Sequence, residues 1–285
     1  MMETFVRSDG VRLRYLVEGQ GTPVLLMPGA AGTHDVYDEQ VALLLDAGCR
    51  VVRVDREGRG QSDWGKYRFC GSGESRDAWA ILDVLGIDRA VLVGRSSGCG
   101  VIRTMYFMCP ERVISLVSID SASFGKLYDP SRDDLRTDHD VDAGLDERFD
   151  AETATAYHRN KVALQKIGRL WDYPSDFNTA ACTEWFHEVA KLVAELDSRP
   201  KDPEDVLIPK VLPDGKWCSV PLLVFASGRG RVGQEDPLSL ELANHLPAED
   251  STLVVAKNSG HWVNVEAAEL FNRELLAFLD RTTRA

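Results

Sequence analysis

The chain has 285 residues, 44% hydrophobic and 27% charged, enough to bury one large core or a core carrying an inserted subdomain. Its 33 Lys and Arg against 45 Asp and Glu give a formal net charge of −12, which argues against binding nucleic acid or an anionic membrane through bulk electrostatics. The opening MMETFVRSDG has no apolar signal core, and no run of about 18 apolar residues follows, so a cytoplasmic protein without a membrane span is expected. The six cysteines are scattered with no CxxC pair, which reads as reduced, mostly buried thiols and neither a disulfide framework nor a zinc site.

In chain order, residues 3–18 read as a hairpin turned at SDG. PVLLMP (23–28) is a short buried strand, and HDVYDEQVALLLDAG is a helix ended by Gly48. RVVRVD (50–55) is a strand, SRDAWAILDVLG a helix stopped by Gly86, AVLVG (90–94) a strand, 97–109 a helix and RVISLVSID (112–120) a strand. Such alternation predicts an α/β fold with a mostly parallel sheet. The alternation stops from about 122 to 216. There a charged loop precedes two helix candidates, near 151–170 and 179–197, the second with Asn178 as N-cap. After the Pro-rich RPKDPEDVLIPKVLPDG, the pattern resumes with a strand at 219–226, a helix at 236–246, a strand at 251–256 and a helix at 263–280.

Chemistry concentrates at three strand ends. AVLVG runs into GRSSG, a G-x-S-x-G between strand and helix; its glycines leave room for a sharp turn that would lift Ser96 off the sheet as a nucleophile. The helix begins there, so its free N–H groups can face developing negative charge. A serine hydroxyl needs a base, and His261, in NSGHW between the last strand and the last helix, emerges on the same sheet edge. His139, His158, His187 and His245 read as solvated or structural; His34, after PGAAG, could line the pocket. For the oxyanion, the backbone N–H of Ala30 in the small-residue loop and that of Ser97 are the expected donors. Asp55, Gly58, Gly60 and Ser62 read as a structural turn, Arg95 as a surface residue, and no dinucleotide fingerprint or metal cluster is visible, so no cofactor is expected.

In order along the chain, PGAAG, DREGRGQS (55–62), LDVLGIDRAVLVGRSSG and SGHW together resemble the α/β-hydrolase superfamily, over roughly 1–121 and 219–285. The resemblance implies a core of 1–121 and 217–285, a helical cap at 122–216 inserted after the sixth strand, and a Ser–acid–His triad. One signature departs. Where the family carries G-x-x-D-x-V after its seventh strand, this chain has GRGRV, and Glu235 and Asp236 come only later. The other family location for the acid is the end of the sixth strand, where LVSIDSAS places Asp120. That arrangement resembles the fungal zearalenone lactonases, which also carry a G-x-S-S-G elbow, and cofactor-free heterocycle dioxygenases. It is also similar to some haloalkane dehalogenases, whose aspartate nucleophile Ser96 excludes.

The expected activity is therefore hydrolysis of an ester or lactone of a small, largely apolar molecule through Ser96, Asp120 and His261. Cap aromatics such as Trp171 and Trp185 would roof the pocket. A cofactor-independent oxygenase or C–C hydrolase, a slow-turnover ligand receptor and a purely structural member of the fold are the alternatives. Oligomeric state is not legible.

Overall fold

A computed structural model describes residues 2–29, 32–66, 71–121, 198–200, 202–204, 212–227, 246, 250–257, 259 and 262–283. The predicted cap at 122–216 therefore falls almost wholly outside the described residues. The strands are β1 (Glu3–Val6), β2 (Arg12–Gly19), β3 (Thr22–Met27), β4 (Cys49–Asp55), β5 (Ala90–Arg95), β6 (Val113–Ile119), β7 (Leu222–Ser227) and β8 (Thr252–Ala256). They form one sheet in the order β1-β2-β4-β3-β5-β6-β7-β8. β1 pairs antiparallel with β2, and β2 antiparallel with β4; every later pairing is parallel. The SDG turn is present, with Gly10 at φ 88 donating its N–H to the Arg7 carbonyl at 2.9 Å.

The described helices are α1 (Asp38–Asp46), α2 (Gly71–Val84), α3 (Ser97–Met108), α4 (Val263–Glu266) and α5 (Ala268–Thr283). Successive strand residues point to opposite faces, and here both faces are dry. Leu25, Val52 and Leu92 pack with Ala78, Leu82, Ile102 and Met105 of α2 and α3. Leu26, Val51 and Val93 pack on the other side with Leu44 of α1 and Phe271, Leu275 and Phe278 of α5. Covering a parallel sheet on both faces explains why its strands read as continuous apolar runs rather than as alternation. In α5 the buried residues recur at helical spacing, Phe271, Leu275, Phe278 and Leu279. Each such burial contributes about 1.5–3 kcal/mol.

Several element boundaries differ from expectation: the helix expected from His34 opens as a 3-10 turn, His34–Tyr37, before α1, and β7 starts at Leu222 rather than 219. The helix expected at 263–280 is two segments, broken at Ala267 (φ −123, ψ 42). Beside the break, the Asn264 carbonyl accepts a hydrogen bond from Gln40 Nε2 of α1 at 2.9 Å, and Asn264 Nδ2 donates to the Val36 carbonyl at 2.9 Å. These long-range bonds have no signature in local periodicity. Helix α2 starts at Gly71, ahead of the expected Ser75, which puts Glu74 in its first turn.

Candidate active site

The parallel strands deliver their C-terminal ends to one edge, where ligand sites of open α/β sheets lie. β5 ends at Arg95, and Ser96 turns the chain directly into α3 with φ 52 and ψ −122. A non-glycine residue at positive φ is uncommon and costs of order 1–3 kcal/mol, so it persists only where its surroundings enforce it. Here the Ser96 N–H donates to the Ile119 carbonyl at 2.9 Å, while the Ser96 carbonyl accepts from the Cys99 N–H at 3.0 Å. The flanking glycines have a steric reason. A Cβ on Gly94 would come within 2.7 Å of the Gly98 carbonyl oxygen, and one on Gly98 would run into the carbonyls of Met27 and Pro28. Below the turn lies Cys99, fully buried, accepting from Ser118 Oγ at 3.4 Å. Burial pushes its thiol up to about 11, so it stays neutral.

Asp120 follows β6 at φ 43 and is 2% exposed. Its N–H donates to the Phe225 carbonyl of β7 at 2.8 Å. In the β5–β6 ladder Arg95 pairs with Ile119, so Ser96 and Asp120 leave neighbouring strands at the same level. The non-glycine residues at positive φ among the described residues are Ser96, Asp120 and Asp250. Two of these three are the positions the sequence singled out for chemistry.

The loop after β3 closes against this turn. A Cβ on Gly29 would lie 3.2 Å from Ser96 Cβ. Arg56, 6% exposed, reaches the same place: its Nη1 donates to the carbonyls of Pro28 (3.0 Å) and Gly29 (3.1 Å) and to Ser97 Oγ (2.8 Å). Its Nε donates to Glu74 Oε1 at 2.8 Å and its Nη2 to Glu74 Oε2, and Arg59 Nη1 donates to Glu74 Oε1 at 2.8 Å. Burial works against the Glu74 charge, but the Arg56 and Arg59 guanidiniums outweigh it and hold the carboxyl below its usual range. Burial, aided by repulsion from Arg56, pulls Arg59 down to about 9.

His34 is held rather than loose. Its Nδ1 lies 2.9 Å from Asp55 Oδ1, the same oxygen that accepts its backbone N–H at 2.9 Å. The other Asp55 oxygen accepts the Gln61 N–H at 3.0 Å, and Ser62 Oγ donates to the Asp55 carbonyl at 2.6 Å. Asp55, Gly58, Gly60 and Ser62 therefore form the structural turn that was expected. Arg95 corrects the reading: it is not at the surface but 2% exposed, with its guanidinium carbon 3.8 Å from the Trp262 ring centroid. It lies inside because β5 is covered on both faces, and the aromatic ring offers the cation a favourable face. The remaining candidates, Ala30, Trp171, Trp185, Glu235, Asp236 and His261, lie outside the described residues. Among the described residues no group of three His, Cys, Asp or Glu could hold a metal, and no helix is long and apolar enough to cross a membrane.

The sequence signature of the alpha/beta hydrolase fold matches residues 22–268. The chain belongs to the α/β-hydrolase family. Over 307 aligned positions it is 30% identical to the 2-hydroxy-6-oxononadienedioate/2-hydroxy-6-oxononatrienedioate hydrolase of Burkholderia vietnamiensis, covering 97% of this chain and 94% of that one. Over 172 it is 24% identical to the zearalenone hydrolase of Cladophialophora bantiana, covering 59% and 63%. The bromoperoxidase of Bacillus anthracis superposes with a TM-score of 0.68 at 21% identity, over 98% of this chain and 99% of that one, which speaks for the fold alone. Within this α/β-hydrolase, the residue that sequence reasoning missed is Arg56. Its signal was available: DREGRG puts four charges in a short turn, two of them arginines, and Glu74 stands near the start of the following helix.

Proposed function

We propose that this α/β-hydrolase cleaves an ester or lactone of a small, largely apolar molecule by acyl transfer. Ser96 attacks the carbonyl, His261 takes its proton and returns it to the leaving group, and Asp120 orients His261 and stabilises its cation. The N–H groups of Ala30 and Ser97 hold the oxyanion, and water then releases the acid. One observation carries the reading: Ser96 stands at φ 52 between β5 and α3, level with Asp120 on the neighbouring strand. Two features support it further. Trp262, which directly follows His261, stacks on Arg95, which directly precedes Ser96. GRGRV also leaves the sixth-strand aspartate as the carboxylate nearest the serine in strand order. The cap at 122–216 would supply the roof.

The hydrolase relative from Burkholderia vietnamiensis favours a second reading, hydrolysis of a C–C bond in a 2-hydroxy-6-oxo dienoate, in which Ser96 plays a lesser part. One panel separates the two. p-Nitrophenyl esters, aliphatic and aromatic lactones and a 2-hydroxy-6-oxo dienoate are offered to the wild type and to Ser96→Ala. Ester or lactone turnover that disappears in Ser96→Ala is expected; turnover of the dienoate alone, persisting in the variant, contradicts the ester reading.

A further inference from the structure

We infer that Arg56 is a positioning residue of the acyl-transfer site, holding the loop after β3 and the first residue of α3 in one fixed relation; this rests on the serine reading above. All three guanidinium nitrogens donate hydrogen bonds. Two of its nitrogens grip Glu74, and the third, Nη1, serves the Pro28 carbonyl, the Gly29 carbonyl and Ser97 Oγ. Nη1 carries two hydrogens for these three acceptors, so one hydrogen is shared and all three acceptors must stay close. Lysine lacks the planar fork that lets one side chain face a carboxylate and a loop at once.

The acceptors belong to the two walls between which a substrate carbonyl would sit. In a planar trans peptide the N–H points opposite to the C=O. Holding the Gly29 carbonyl toward Arg56 therefore restrains the amide that follows it, and holding Ser97 Oγ restrains the residue whose own N–H is the second expected donor. Gly29 lies against the Ser96 side chain, so loop and elbow move together or not at all. A buried ion pair is weak evidence of stability, because desolvation offsets its attraction. Two arginines on one glutamate directly beneath the catalytic loop are better explained by what they orient. Catalysis by oriented donors depends on such placement.

The test compares wild type, Arg56→Lys and Glu74→Gln. Wild type is first shown to take a fluorophosphonate on Ser96 and to hydrolyse p-nitrophenyl butyrate. Each variant is then expected to lose about 10- to 100-fold in kcat, the scale of a misplaced catalytic group, with KM within about 3-fold. Affinity for benzeneboronic acid, a mimic of the tetrahedral intermediate, should fall by the same factor as kcat/KM, while the pH profile stays in place. Amide hydrogen exchange in the peptide covering 25–29 should quicken. Wild-type kcat, boronate affinity and exchange in Arg56→Lys overturn the inference. So does a loss of kcat matched by a loss of folded protein, with the folded remainder fully active. If Arg56→Lys does not fold, Glu74→Gln decides by the same readouts. A wild type that neither labels nor hydrolyses the ester sinks the serine reading alone. Exchange then decides the loop restraint by itself, faster exchange sustaining it and unchanged exchange overturning it.

Discussion

At Ser96 the backbone sits where a residue with a side chain is strained, and the bonds that enforce it come from the neighbouring strand and from α3. Asp120 shares both the strain and the strand edge. Replacing it with Asn keeps the shape but favours the wrong histidine tautomer, an effect that reaches about 10⁴ in rate in a well-studied triad. Asp120→Asn should therefore lose at least about 10²-fold in kcat with its thermal unfolding little changed. Glu235→Gln and Asp236→Asn should each stay within about 3-fold, a difference under 1 kcal/mol. The opposite ordering returns the acid to the segment after β7. At this scale the sequence was partly legible. Motif context pointed to Ser96, and the missing aspartate in GRGRV pointed to Asp120; both stand at positive φ on neighbouring strand ends. Arg95 and Arg56 were misjudged or missed, since a charged residue in a local pattern reads as solvated and only packing shows that it is enclosed.

The turn at Ser96 forms because α3 is allowed close to its neighbours. α3 begins against the end of β3 and the loop after it, where a Cβ on Gly98 would meet the Met27 carbonyl oxygen and lie 2.6 Å from that of Pro28. Backbone cannot yield there as a side-chain tip can. Gly98→Ala should push α3 from the sheet, lower stability by about 1–3 kcal/mol, as overpacking does, and cost more activity than stability, because Ser96 moves with the helix. Urea unfolding and ester turnover measured together check this; a variant indistinguishable from wild type in both contradicts it. Most strands and helices could be read from apolar runs and their punctuation, since a sheet covered on both faces writes itself as unbroken Val, Leu and Ile. Among the features that could not be read were the break at Ala267 and the early start of α2 at Gly71. The first lies beside bonds exchanged with Gln40 of α1, more than two hundred positions away, and periodicity is blind to those.

Across the whole molecule, a charged network joins the hairpin to the site. Arg7 pairs with Asp77 at 3.0 Å, with Glu57 at 2.7 Å and with Asp9 at 2.9 Å, and Asp77 also feels the charges of Glu57 and Glu74. Burial, only partly offset by Arg7, pushes Asp77 up to about 7. The fold thus holds this proton more tightly than the unfolded chain does. The stability it contributes is complete below about pH 4 and is lost as pH rises through about 7. Asp77→Asn, which keeps the neutral form at every pH, should gain on the wild type by up to about 2 kcal/mol between pH 5 and pH 8 in urea unfolding. Parallel stability curves for the two proteins contradict the assignment. The chemistry proposed for the strand edge requires Ser96 to be the nucleophile. The most direct measurement treats the intact protein with a fluorophosphonate and locates the added mass by peptide mapping, beside the hydrolysis of p-nitrophenyl butyrate. A single adduct on Ser96 and loss of hydrolysis in step with labelling is the predicted result; an adduct on Ser97, or full hydrolysis by a protein that takes no label, contradicts it.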